Sequence, residues 1–231
     1  MAFLLWLMWS YLGGKGWPRN TSDARRRCLR ANRRSARTYL WAIVSGVLAV
    51  IAQAGYWIVL FPIGQDATQC APRCLGLSPD YCCAHDSHGL LGFATHGEAG
   101  FRGYFQLGLE REFRGSVAVI LSSVVFAFAH FAYGMLWPKL LVYFLVGVAF
   151  GTTAYLTNST LPALLPHAIG DLTFFTLVWP HDAARRLVLD SGTDNWSWIH
   201  VAQAIVFTVL AVWAFQRLAR ESRPHIYYMP E

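Results

Sequence analysis

Glu98 with Arg102 in HGEAGFRGYFQ, Phe126 with His130 in SSVVFAFAH, and His167 with Asp171 in LLPHAIGDLTFF bring polar chemistry into segments that are otherwise apolar. In each pair the members stand four residues apart, so on a helix they lie one turn apart on the same face, about 5–6 Å between Cβ atoms. The chemistry that a carboxylate and two histidines allow includes hydrolysis of an amide. The carboxylate, held in a low-dielectric pocket, is a stronger base toward water than it is in bulk solvent, and a histidine can act as acid or hydrogen-bond the developing oxyanion. Glu98, His130 and His167 are therefore the candidate catalytic residues. Arg102 is expected to pair with Glu98 and lower the cost of burying both, and Asp171 to orient His167 through the helix turn or to bind substrate. Two histidines and a carboxylate are also a zinc-ligand set, so the residue types alone leave a metalloprotease open. Phe126 taken singly reads as packing.

Three helices must hold these pairs, each turning a polar face inward. An ionisable residue near a bilayer centre costs about 2.5–3.5 kcal/mol, so such residues face a protein interior. The chain is 55% hydrophobic and 14% charged, which excludes an ordinary water-soluble domain and leaves a membrane domain. Its 231 residues have room for about six spans. The expected fold is an all-α polytopic helix bundle with spans at Tyr39–Phe61, Gly89–Phe113, Ser116–Leu136, Pro138–Leu156, Leu161–Trp179 and Trp198–Leu218. Arg114-Gly115, Trp137-Pro138, the TNST turn before Pro162 and the polar loop Pro180–Asn195 separate them. Ala2–Leu12 is apolar but too short to span and reads as an interfacial helix. The organisation is thus an N-terminal helix and basic flank over 1–38, a transmembrane domain over 39–218 and a tail over 219–231.

Charge sets the orientation. The net charge of +6 could suggest nucleic acid, but nine of the nineteen basic residues fall between Lys15 and Arg37, beside the first span. That is a topogenic signal, and the RRRCLRANRRSAR run reads as a solvated cytoplasmic flank. With six spans the C-terminus returns to the cytoplasm, where Arg217, Arg220 and Arg223 lie. The loop over 62–88 then faces outward and carries Cys70, Cys74, Cys82 and Cys83. In an oxidising compartment these favour disulfides, since adjacent Cys82 and Cys83 suit a tetrahedral metal site poorly. Cys28, among the arginines, is expected to be reduced. His85, His88, His181, His200 and His225 lie in loops or at span edges and receive no role.

Together, in this order and spacing, the three pairs resemble the signature of the CPBP family, the membrane-embedded proteases that include the CAAX prenyl-protein endopeptidases and the Abi-type bacterial proteins. The family pattern is EExxxRG, FxxxH and HxxxN or HxxxD. GEAGFRG supplies Glu98, Arg102 and Gly103, FAFAH supplies Phe126 and His130, and HAIGD supplies His167 and Asp171. The resemblance covers about Leu91 to Phe175, including LEREFRGSVAVILSS and GVAFGTTAYLTNSTLPALLPH between the motifs. LEREFRG offers a rival first motif in Glu110 and Arg114. Only twelve residues would then lead from Arg114 to Phe126, too few for a helix, a turn and the start of the next helix, whereas twenty-four lead from Arg102.

One departure matters. The first glutamate of the family pair, usually assigned the water-activating role, falls on Gly97, which can neither accept a proton nor bind a metal. Either Glu98 has taken over the role, or this copy is inactive, or the position carries a substitution; His96 could also contribute. The resemblance implies an intramembrane endopeptidase that cuts a membrane-anchored or lipid-modified polypeptide through glutamate- and histidine-activated water, with no cofactor expected and zinc as the alternative. Its inactive counterpart would bind membrane segments as an immunity or scaffold protein. The partners implied are that polypeptide and the lipid bilayer, not nucleic acid, and the expected location is a bacterial inner membrane with both termini cytoplasmic.

Overall fold

The computed structural model describes residues 6, 10, 22–64, 94–95, 97–130, 137–174, 176 and 193–226. The four loop cysteines Cys70, Cys74, Cys82 and Cys83, together with His96, lie outside them, as does the interfacial segment apart from Trp6 and Ser10. The described chain is helical, with no strand among the described residues. In chain order the helices are α1 Ser22–Cys28, α2 Ala36–Gly64, α3 (π-helical over Glu98–Phe105, then α-helical over Gln106–Glu112), α4 Gly115–Ala129, α5 Trp137–Thr157, α6 Leu161–Thr173 and α7 Asn195–Ile226. Helices α2, α5 and α7 are long and apolar enough to cross a membrane, and α4 is a shorter apolar helix. Six spans were expected; the second, third and fifth are described only in part, and among the described residues three helices are long enough to cross.

Local chemistry sets several helix ends. Ser35 Oγ accepts the Thr38 amide at 3.2 Å at the start of α2, and Asp194 Oδ1 accepts the Ser197 amide at 2.8 Å at the start of α7. Both are N-caps, in which a short oxygen side chain satisfies an amide that the first turn leaves without a partner. Helix α5 ends where Asn158 takes a φ of 44°, while Ser159 N donates to Ala154 O. A left-handed Asn closing the last turn is a C-cap, and it is what makes TNST a turn.

Helix α5 is the hub, packed against α2, α3, α4, α6 and α7, and α7 lies along α2. Close approach comes from small residues, the means by which helices pack where lipid supplies no hydrophobic drive between them. A Cβ on Gly147 of α5 would come within 2.9 Å of the Ser123 Cα of α4. Polar pegs join α2 to α7: Gln203 Nε2 donates to Ile51 O at 2.8 Å, and Tyr56 Oη meets Thr208 Oγ1 at 3.0 Å. The interior is built of Ala, Gly, Ser and Thr around Trp57 and Phe150, while Ile120, Val125 and Phe128 of α4 and Ile205, Val209 and Trp213 of α7 point outward. Large apolar side chains outside and small or polar ones inside suit a lipid surround.

The basic flank differs from the solvated run expected of it. Arg30 is 1% exposed. Its two Nη atoms donate to both carboxylate oxygens of Glu110 at 2.8 Å, and its Nε donates to Asn158 Oδ1 at 2.9 Å. Around it Thr160 N donates to Arg30 O, Ser159 Oγ to Asn32 O and Arg34 Nη2 to Asn158 O. The flank is thus clasped onto α3 and the turn after α5. The fork of a guanidinium matches a carboxylate bidentately, and that pairing repays its burial. The same pairing disposes of the rival motif, since Glu110 is occupied by Arg30. Arg26, Arg27 and Arg37 remain exposed, as expected, and Cys28 is free and exposed.

Candidate active site

The segment GEAGFRGYF, with glycine at 97, 100 and 103, is a poor α-helix former and winds as a π-helix over Glu98–Phe105. Its wider turn is visible where the Gln106 amide donates to Phe101 O, five residues back. π-helical turns inside helices gather at functional sites. Here the turn sets Glu98 and Arg102 on one buried face. Gln106 continues that face, with its Nε2 donating to Gly151 O at 2.9 Å and to Glu110 Oε1 at 2.8 Å.

Glu98 is the centre of the cluster. Its Oε1 accepts from His167 Nδ1 at 2.9 Å and lies 3.8 Å from Arg102 Nε. The first contact is a hydrogen bond. The second is too long for one and is a charge contact between two buried groups, so Arg102 Nε and Nη1 and Glu98 Oε2 make no hydrogen bond among the described residues. A carboxylate can only accept, so His167 Nδ1 carries the proton and the Nε2 side of the ring turns toward Asp171, whose Oδ1 is 3.8 Å away.

Phe126 has more to do than fill space. The Arg102 guanidinium lies over its ring at 4.3 Å, a cation–π contact that suits a buried arginine. The same ring meets His130 at 4.6 Å and His167 at 6.5 Å between centroids. Both histidines therefore border one phenylalanine. His130 terminates α4, where its Nδ1 is 2.7 Å from Phe126 O. A carbonyl only accepts, so Nδ1 is the donor and carries the proton of the neutral ring.

The structure thus brings Glu98, Arg102, Phe126, His130, His167 and Asp171 into one cluster from α3, α4 and α6. Gly97 stands at its edge, and a Cβ built there would lie 3.6 Å from His167 Cε1, an ordinary contact. Among the described residues no group of three or more His, Cys, Asp or Glu side chains could hold a metal ion, and His167 Nδ1 is committed to Glu98. Two aromatic neighbours escaped the sequence reading. Tyr143 stacks on His130 at 4.3 Å and Phe150 on His167 at 4.6 Å. Their only sequence signal is a spacing of seven on one apolar helix, which is also the signature of ordinary packing.

Residues 90–173 match the family model described as Type II CAAX prenyl endopeptidase Rce1-like. All three pairs and Gly97 fall inside that stretch. No curated protein and no solved structure matches the chain.

Proposed function

We propose, from the match of residues 90–173 to the Type II CAAX prenyl endopeptidase model, that the chain hydrolyses a peptide bond of a membrane-anchored or lipid-modified polypeptide with water activated by Glu98 and the two histidines. The observation that carries this reading is the buried Glu98–His167 hydrogen bond of 2.9 Å beside the ring that His130 also borders. Glu98 Oε2 takes a proton from water as the water oxygen attacks the scissile carbonyl. His130, when protonated at Nε2, donates to the oxyanion that forms. The tetrahedral intermediate then breaks its C–N bond, and the proton held by Glu98 passes to the leaving amine. Arg102 holds the Glu98 charge in place, and Asp171 steadies the Nε2 side of His167. The reading needs no metal ion. It places the protein in a bacterial inner membrane with both termini cytoplasmic and the loop over 62–88 outside.

Gly97 favours a second reading, in which the chain binds membrane segments without cutting them, as an immunity or scaffold protein. Co-expression with a tail-anchored substrate separates the two. Weak cleavage that disappears in His130→Ala supports the protease. Substrate retained uncut by both chains in a complex that survives detergent supports the binder.

A further inference from the structure

Tyr143, Gly147 and Phe150 fall at positions i, i+4 and i+7 of α5, a single stripe on one face of the helix. Each touches a different member of the cluster, and the three members come from three other helices. Tyr143 lies near-parallel to His130 of α4, with ring centroids 4.3 Å apart and planes at 22°. Phe150 repeats the arrangement against His167 of α6, at 4.6 Å and 21°. Between them the Gly147 carbonyl accepts from Arg102 Nη2 of α3 at 3.4 Å. Both histidines also meet Phe126, tilted for His130 at 57° and edge-on for His167 at 73°.

The geometry points to α5 as the template of the site, with Tyr143 as the positioning residue of His130 and Phe150 as that of His167. A hydrogen bond at Nδ1 holds one atom of an imidazole, and the rings packed on its faces set its plane. His130 is held at Nδ1 by Phe126 O, and His167 at Nδ1 by Glu98. A parallel ring on one face favours the plane in which each imidazole lies. Phe126 borders both imidazoles, tilted against His130 and edge-on to His167. Neither Tyr143 nor Phe150 has to touch the substrate for this. The inference deepens the proposed protease reading and rests on it for its catalytic consequence, but the positioning itself can be read without activity.

The experiment follows histidine ring carbons by NMR in micelles on ¹³C-histidine-labelled protein, with signals assigned through His130→Gln and His167→Gln. A stacked aromatic ring moves the imidazole signal upfield. Tyr143→Leu is expected to remove that shift from His130 and leave His167 in place, and Phe150→Leu to do the reverse. Tyr143→Phe and Phe150→Tyr should preserve both shifts. Phe150 is deeply buried. If Phe150→Leu fails to fold, Phe150→Met keeps most of the volume without a ring and reads the same contact, while half-buried Tyr143 is tested independently. In a Gly97→Glu background the leucine variants should lower kcat roughly ten- to a hundredfold with KM little changed, and the conservative variants should restore it. Shifts that stay put in the leucine variants, or that move together at both histidines, overturn the template. If the shifts separate as stated while no chain cleaves substrate, the template stands and the protease reading falls.

Discussion

Arg102 shows how closely one residue is constrained. Its guanidinium lies over Phe126, donates to the Gly147 carbonyl and balances the Glu98 charge, all in a buried setting. Arg102→Gln leaves Glu98 as a buried charge without its cation and is expected to cost about 3–5 kcal/mol. Arg102→Lys keeps the charge but loses the planar ring contact and the fork, for about 1–2 kcal/mol. Unfolding in graded denaturing detergent, with each variant beside the parent, checks both figures; equal losses for the two would deny the retained charge any weight, and an Arg102→Lys protein as stable as the parent would deny it to the ring contact. The pairing of Arg102 with Glu98 was legible in the sequence, because four-residue spacing on an apolar helix leaves two buried ions little choice but each other. The role of Phe126 was not. Nothing in a phenylalanine's spacing tells that an arginine from another helix will lie on its face.

At the scale of the helix, the clasp of Arg30 on Glu110 and Asn158 ties the flank before α2 to α3 and to the end of α5. Arg30→Ala and Glu110→Ala should each cost about 3–5 kcal/mol, and the double substitution little more than either alone. Simple addition of the two losses in a thermal-melting cycle would mean that the pair is not coupled. The sequence hid this clasp because Arg30 stands in a run of arginines whose usual fate is water, and its buried fate depends on a left-handed φ of 55° that no local signal announces. Helix limits were easier to read. Helix α5 was expected over Pro138–Leu156 and occurs over Trp137–Thr157, since a proline near its start and the TNST turn at its end mark both limits. Helix α7 runs beyond the expected Leu218 to Ile226, because the polar stretch that follows Leu218 carries no breaker before Pro224.

For the molecule as a whole, apolar composition and three ordered motifs made the membrane bundle and the clustering of the polar pairs readable before any geometry. The convergence follows from energetics, since buried polar groups on separate apolar helices are least costly when they meet one another. Orientation can be tested by thiol labelling of intact cells. Cys28, free and exposed, should react only with a membrane-permeant maleimide. Cys70, Cys74, Cys82 and Cys83 should resist an impermeant reagent until a reductant opens their disulfides, and labelling of Cys28 from outside would reverse the topology. The central claim is that this cluster is a hydrolytic centre that lacks one carboxylate. Among the described residues a Cβ at position 97 meets only His167, at 3.6 Å, an ordinary contact, so the backbone there tolerates the first carbon of a side chain. The direct measurement is the cleavage rate of a tail-anchored substrate in proteoliposomes by the parent, by Gly97→Glu and by Gly97→Glu with His130→Ala. The account predicts a rise on the order of a hundredfold from the added carboxylate, abolished when His130 is removed. A correctly folded Gly97→Glu protein no more active than the parent, or one whose activity is indifferent to His130, would contradict it.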